Sequence, residues 1–359
     1  MEKQQDKIRI KDIALAAGVS VGTVDRVIHG RSGVSQESRL KVQATLERMN
    51  YQPNMYASAL AANKRYRLVC LLPAHSEGDY WEEVERGMKK ATHTFSDFNV
   101  TLHTLYYDQY ETESFPSDVL GLSKSKPDGV ILSPKSESET VHLVASLENY
   151  KIPYVFIDST IPSLSPLAFY GQHAHQSGFF AARMISLMAN GHKELVIFRL
   201  VYEGRSGSNQ QQEREKGFKE AMMLQHPEIQ LLELDLFAKQ PEENERLMNE
   251  FFAHHPNVSC GITFSSRAYL IAEYMQAHNR TDFHLLGYDL ISRNITCLRS
   301  GFIDFVIAQQ PFFQGYGSVE SLCNYLILKK SVKQNHYMPL SLISVENLDF
   351  YLEANTNNE

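Results

Sequence analysis

Gly22, Asp25, Arg26 and His29 recur at i, i+3, i+4 and i+7, which places them along one face of a helix, while Val24, Val27 and Ile28 take another. A charged face opposite an apolar one fits two readings: contact with a nucleic acid, or plain solvation outside a small helical bundle. Two histidine groupings, His173-Ala174-His175 and His254-His255, invite a metal reading. Neither has a cysteine or carboxylate set at ligand spacing, so both read as surface or helix-entry histidines. Cys70, Cys260, Cys297 and Cys323 lie far apart with no CxxC pair, which points to buried reduced thiols. There is no GxxxxGK[ST], no GxGxxG behind a strand and no GxSxG. No cofactor, metal or catalytic nucleophile is expected, and the chain reads as a non-enzyme.

The elements that carry the charged face follow from the surrounding pattern. Residues 10–17 read as a helix, Gly18-Val19-Ser20 as a tight turn, and 21–29 as a second helix with Ser20 as its N-cap. A third helix begins at the Ser35 cap and packs Val42, Leu46 and Met49 against the first two. Two helices joined by so short a turn match helix-turn-helix DNA binding, in which the second helix enters the major groove; geometry alone leaves the solvated bundle open.

Charge separates the head from the rest. The 359 residues carry a formal net charge of −7. The first 67 hold 12 of the 35 Lys+Arg and 6 of the 42 Asp+Glu, so a head of net +6 precedes a body of net −13. That asymmetry suggests a nucleic-acid-binding module on a carrier. With 43% hydrophobic and 21% charged residues the chain is globular, and its length calls for two or three domains. No apolar run approaches the roughly 18 to 20 residues that cross a bilayer, and the start is charged, so no membrane partner and a cytoplasmic location are expected.

From Arg67 the sequence alternates β-branched runs with amphipathic stretches, the rhythm of parallel sheets covered by helices. Strands are expected at 68–73, 100–107, 129–133, 154–158, 195–200, 229–236, 260–264 and 285–288. Trp81, Val84, Met88, Ala91 and Phe95 form one apolar helical face, and further helices fit 137–150, 176–189, 211–224, 242–254, 268–278 and 313–329. Eight such units exceed one open sheet, so two α/β lobes with a cleft between them are expected, and ligands in such folds sit beyond the carboxyl ends of the strands.

Ile10-Lys11-Asp12-Ile13-Ala14, Ala17-Gly18-Val19-Ser20, Thr23-Val24-Asp25-Arg26-Val27 and Tyr51-Gln52-Pro53-Asn54 resemble, in register, the N-terminal segment of the LacI/GalR family of bacterial transcription regulators. Lys151-Ile152-Pro153, Phe156-Ile157-Asp158, Gly287-Tyr288-Asp289 and Ile307-Ala308-Gln309 resemble that family's effector module, shared with periplasmic sugar-binding proteins. The resemblance implies a small all-α helix-turn-helix domain (1–50), a hinge helix (51–66) and a two-lobed type I periplasmic-binding-protein-like α/β body (67–359). Lobe 1 would span about 67–170 plus 309–332, and lobe 2 about 171–308 plus 333–359. It also implies a homodimer on near-palindromic double-stranded operator DNA, controlled by a small effector, most simply a carbohydrate.

Carried over position by position, the resemblance sets Lys11, Ser20, Val21, Gly22, Thr23, Asp25, Arg26, His29, Ser35, Asn54 and Leu60 at the DNA. An arginine fork on guanine is worth roughly 1 to 3 kcal/mol of discrimination. Asp25 stands where relatives use serine on a phosphate, so it pairs with Arg26 or Arg31 or turns to a cytosine amino group. Leu60 occupies the place of the leucine that wedges into the minor groove; its alternative is an ordinary core leucine. In the body the resemblance selects Tyr80, Trp81, Asp158, Gln172, His173, Gln212, Arg214, Ser266, Arg267, Asp289 and Gln309. Gln212 replaces an arginine that sugar binders place five residues before the glycine matching Gly217, with Arg214 two residues later. Arg267 offers a place for a ligand carboxylate. Helix capping by Asp289 and core packing of Trp81 are the structural alternatives. Two other functions are compatible with parts of the chain: a transport-type sugar-binding protein with a vestigial head, disfavoured by the intact head, and a sugar kinase with an appended head, disfavoured by the missing phosphate motifs.

Overall fold

The computed structural model describes residues 8–28, 31–49, 51, 56, 59–60, 63–108, 125–134, 137–189, 191, 193–202 and 205–356. His29, Asn54 and most of the expected hinge lie outside these residues. The chain divides into two compact units, 1–64 and 65–359.

In the first unit the helices whose bounds lie among the described residues are α1 (Ile10–Ala17), α2 (Val21–Ile28) and α3 (Gln36–Arg48). Gly18 ends α1 with φ +65°, a left-handed conformation that glycine reaches without a Cβ penalty, and the Val19 amide returns to the Ala14 carbonyl. Ser20 then accepts the Thr23 amide at 3.1 Å, and Ser35 caps α3 by accepting from Ser38 at 3.2 Å. Ile13, Ala14, Val24, Val27 and Val42 form the core where the helices meet.

The second unit carries two sheets. Lobe 1 stacks β1 (Tyr66–Pro73), β2 (Val100–Tyr107), β3 (Gly129–Leu132), β4 (Tyr154–Ile157), β5 (Ala168–Gly171) and β12 (Asn335–Tyr337) in the order β12-β5-β4-β3-β1-β2, all parallel. Lobe 2 has β6 (Glu194–Tyr202), β7 (Arg205–Ser206), β8 (Gln230–Phe237), β9 (Cys260–Thr263), β10 (His284–Tyr288), β11 (Phe305–Ala308) and β13 (Ser341–Ile343). There β11, β10, β9, β6 and β8 lie side by side in parallel, with β13 and β7 antiparallel. The two lobes share one plan, in which β1 to β5 correspond to β6, β8, β9, β10 and β11. Their central strands are buried on both faces, which explains why they read as continuous apolar runs.

Among the described residues the α-helices of the body are α4 (Tyr80–Thr94), α5 (Glu137–Asn149), α6 (Ala174–Met188), α7 (Asn209–Gln225), α8 (Pro241–His254), α9 (Ala268–Ala277), α10 (Ser292–Arg299), α11 (Pro311–Leu326) and α12 (Val345–Thr356). Each lobe locks a helix pair at glycines. A Cβ on Gly315 of α11 would lie 1.9 Å from the Val84 carbonyl oxygen of α4, and one on Gly217 of α7 would lie 2.1 Å from that of His175 in α6. Only glycine permits such close backbone approach.

Three segments cross between lobes, after β5, after β11 and after β12. The sequence reading ended lobe 1 near 332, but β12 still pairs with β5, so the last crossing lies between Tyr337 and Ser341. Parallel pairing with a strand distant in sequence, rather than the local residues Asn-His-Tyr, makes this a strand. All four cysteines are buried and unpaired. Among the described residues no helix is long and apolar enough to cross a membrane.

Candidate functional site

A cleft of about 490 Å³ opens between the lobes, walled by residues that follow β1, β3 and β4 on one side and β6, β9 and β10 on the other. Its floor is polar and ordered. Asp158 follows β4 and Asp289 follows β10, with φ of 65° and 69°, a left-handed conformation that aspartate tolerates better than most side chains. Both are buried. Gln309 donates to Asp289 Oδ1 at 2.6 Å, and Gln210 donates to Gln309 Oε1 at 3.0 Å and to the Asp158 carbonyl oxygen at 2.9 Å. Gln210 thereby ties lobe 2 to lobe 1.

Arg214 is the centre of charge. It is 1% exposed, lies with its guanidinium 4.0 Å from the Tyr288 ring centroid, and donates to the Phe264 carbonyl at 3.1 Å and to Gln172 Oε1 at 3.4 Å. Its Nε is buried with no hydrogen-bond partner. Burial raises the Asp158 carboxyl above its ordinary value, with Arg214 pulling it back. Burial likewise pushes Asp289 up to about 6, against the opposing pull of Arg214 and Gln309, while Asp158 adds like-charge repulsion. Tyr80, buried beside them, donates to Gln314 at 3.1 Å, and burial lifts its phenol well above the ordinary range. The site therefore offers two carboxylate acceptors, two amides and a guanidinium with spare donors, a set that matches the alternating donors and acceptors of hydroxyl groups.

Of the body residues expected from sequence, Tyr80, Trp81, Asp158, Gln212, Arg214, Ser266, Arg267, Asp289 and Gln309 all line the cleft. Trp81 does not join the core face of α4, where Val84, Met88 and Ala91 are fully buried; it meets Tyr80 edge to face at 5.0 Å. Gln212 sits exposed at the rim, and Arg214, on the buried face of α7, reaches the floor. Arg267 donates to the Ala238 carbonyl at 3.1 Å. Two expected residues do not line the cleft. Gln172 is buried in the first crossing and donates to the Ala308 and Pro339 carbonyls, both at 2.9 Å, which straps the three crossings together. His173 is turned outward, caps α6 by accepting from Gln176 at 3.3 Å, and packs against Tyr337. Consecutive residues in an extended crossing point to opposite sides, so only one of this pair could face inward.

Sequence reasoning missed Gln210, Tyr107, Ser133 and Asn294. The first three line the cleft, and Tyr107 donates to the Ser133 carbonyl at 3.0 Å. Asn294, fully buried, donates to the carbonyls of Ser266, Tyr288 and Asp289 at 2.8 to 3.0 Å, which holds both strand-end loops in place. Gln210 was legible: with Arg214, Gly217, Phe218 and Ala221 it follows the spacing of one buried helix face.

In the head, the exposed side of α2 carries Val21, Gly22 and Arg26, with Thr23 and Asp25 partly covered. Lys11, Ser20 and Ser35 are exposed beside it. Asp25 pairs with Arg31 at 3.0 Å, one of the partners expected for it. Leu60 is 47% exposed, so it is not a core leucine. Val24 and Val27 are buried, which fixes the orientation of α2 and turns Val21, Gly22 and Arg26 to the exposed side.

Known proteins agree with this geometry. The model of the lacI family of bacterial regulatory proteins matches residues 9–54, and that of the periplasmic binding protein domain matches 69–330. The transcriptional regulator DegA of Bacillus subtilis (strain 168) is 28% identical over 217 residues, 60% of this chain and 61% of that protein, less than two thirds of its length. The transcriptional repressor PurR of Klebsiella pneumoniae (strain 342) is 27% identical over 288 residues, 78% of this chain and 80% of that protein. A solved Bacteroides fragilis structure assigned to LacI transcriptional regulators is 46% identical, covers 80% of this chain and 100% of its own, and has a TM-score of 0.78. The glucose-galactose binding protein GanP of Geobacillus stearothermophilus shares the fold of the body, at 23% identity, TM-score 0.69, and coverage of 79% of this chain and 99% of that one. A lacI-type head on a periplasmic-binding-protein-like body places the chain in the LacI family of DNA-binding transcriptional regulators.

Proposed function

We propose that this regulator acts in the cytoplasm as a homodimer on a near-palindromic operator, most simply as a repressor, and that its operator affinity changes when a neutral polyhydroxylated effector, a monosaccharide or sugar derivative, fills the interlobe cleft. The observation that carries this reading is the pair of buried carboxylates, one from each lobe, beside a buried guanidinium whose Nε lacks a partner. A polyol supplies hydroxyl donors for the two carboxylates and hydroxyl acceptors for the amides and guanidinium that line the cleft, and polar groups left unmet in a buried site are costly. Among the described residues, five acidic and two basic side chains line the cleft, which favours a neutral effector over an acidic one. Trp81 and Tyr80 provide aromatic faces for the C–H side of a sugar ring.

On the DNA side, the exposed face of α2 supplies Arg26 and the flanking Lys11, Ser20 and Ser35, and Leu60 is exposed for insertion into a minor groove. One head offers few contacts, and two heads on two half-sites supply the affinity.

The lone tryptophan is a built-in reporter of the cleft. Titration of the full chain with aldoses, ketoses, polyols and sugar acids, read by Trp81 fluorescence, should give a saturable change with a neutral sugar. A response to sugar acids alone would overturn the neutral-effector reading.

A further inference from the structure

A second cavity, of about 300 Å³, lies at the second crossing and shares Asp79, Tyr80, Asp289 and Gln309 with the effector cleft as a common wall. Both lobes build it. Lobe 1 supplies Arg86, Phe312 and Phe313, and lobe 2 supplies Ile295, Tyr351 and Asn355. Its volume stands at the lower end of small-molecule pockets. The four aromatic rings of Tyr80, Phe312, Phe313 and Tyr351, with Ile295, make much of the lining apolar. The charged groups of the wall are already engaged: Arg86 pairs with Glu83 at 2.5 Å, Asp79 accepts the Ser76 amide at 3.0 Å, and Asp289 accepts from Gln309. A charged ligand would have to displace one of these contacts. The Tyr351 hydroxyl is buried and makes no hydrogen bond of normal geometry, although Gln310, Ser341 and Asn355 surround it.

We propose that this cavity is a second ligand site, which takes a neutral amphipathic ring compound with one or two hydroxyl or amide groups. The lobes meet at its edge, where a Cβ on Gly78 of lobe 1 would lie 2.9 Å from the Ser292 hydroxyl of lobe 2. A molecule that touches both lobes binds one lobe angle better than another and shifts the population toward it. The common wall passes that bias to Asp289 and Gln309 in the effector cleft. The site stands on its own cavity and does not depend on the effector being a sugar.

Phenol serves as the probe, with 4-azidophenol as its photoreactive form. Irradiation of the wild-type full chain with 4-azidophenol should label peptides that contain residues 290–295, 311–313 or 351–355, and excess phenol should suppress the label. In saturation-transfer NMR, Ile295→Phe should weaken phenol binding by about tenfold, while Gln211→Phe, which narrows the effector cleft, should leave it intact. No saturable labelling of the wild-type chain, or labelling confined to peptides of the effector cleft, overturns the proposal. So does full phenol binding by a folded Ile295→Phe variant.

Discussion

Asp158 and Asp289 are counterparts: they follow the corresponding strands β4 and β10 of the two lobes, each adopts a left-handed backbone with φ of 65° and 69°, and each is buried beside Arg214. The shared plan of the two lobes thus delivers one carboxylate to each side of the cleft floor. The cost of that arrangement falls on stability.

Asp289, with its carboxyl raised from 3.8 to about 6, releases its proton later in the folded chain than in the unfolded one. Below 3.8 the two states are equally protonated. Between about 4 and 6 the folded state binds more protons, so stability falls as pH rises and stays lower above that window. Asp289→Asn keeps an oxygen for Gln309 and removes the charge. It should stabilise the ligand-free chain by up to roughly 3 kcal/mol near pH 7 and by almost nothing near pH 4, read as the difference between melting curves. The same change should weaken effector binding about tenfold or more, since a charge-assisted hydrogen bond is lost.

Arg214→Leu should be damaging in a different way. It leaves two buried carboxylates without their cation and the Phe264 carbonyl without a donor, a loss of roughly 3 to 5 kcal/mol by chemical denaturation. By raising the carboxyl groups further, it should also extend to higher pH the window over which stability falls as pH rises. A melting curve like that of the wild type would contradict the central position given to this guanidinium.

Across the cleft mouth, Lys239 of lobe 2 meets Asp108 of lobe 1 at 3.3 Å. Lys239 is 69% exposed, so the contact is a weak latch of about 0.2 to 1 kcal/mol. Lys239→Ala should alter effector affinity by at most about fivefold, and high salt should erase the difference by screening the pair. Isothermal titration at two salt concentrations measures both.

Gly217→Ala tests the helix crossing beneath the cleft. With the His175 carbonyl oxygen 2.1 Å from the added Cβ, α7 must move away from α6 and carry Gln210 and Arg214 with it. A destabilisation of roughly 3 kcal/mol or more is expected, together with weaker effector binding. An Ala that is tolerated without loss of either would show that the helices separate freely.

Much of this was legible in the residues. Each of the eight expected strands corresponds to one in the structure: buried parallel strands such as β3, β4 and β9 write themselves as unbroken apolar runs, while the half-exposed β2 and β8 intersperse apolar with polar residues. The strands not foreseen, β5, β7, β11, β12 and β13, run from two to four residues, too short to show a period of their own; β7 is the return of a tight hairpin on β6, and β12 and β13 are strands by virtue of partners distant in sequence. Helix α10 was missed because Ser292-Arg293-Asn294 opens it with polar residues, and its one buried asparagine serves the loops rather than a core. In the cleft, the family resemblance, applied at strand ends, selected Asp158 and Asp289. Attention to Gln212 came from a distance counted back from Gly217, whereas burial follows the helical face, which passes through Gln210 and Arg214. For His173, motif position outweighed the alternation of an extended chain.

The central claim is that occupation of the cleft changes the grip of the head on DNA. Its most direct test is fluorescence anisotropy of the full chain on a palindromic duplex selected from randomised DNA, titrated with the sugar that shifts Trp81 emission. Operator affinity should change by about tenfold or more on saturation, a coupling near 1.4 kcal/mol, and Asp158→Asn should move the midpoint of that response to higher sugar concentration. An operator affinity that stays constant while the cleft fills would contradict the account.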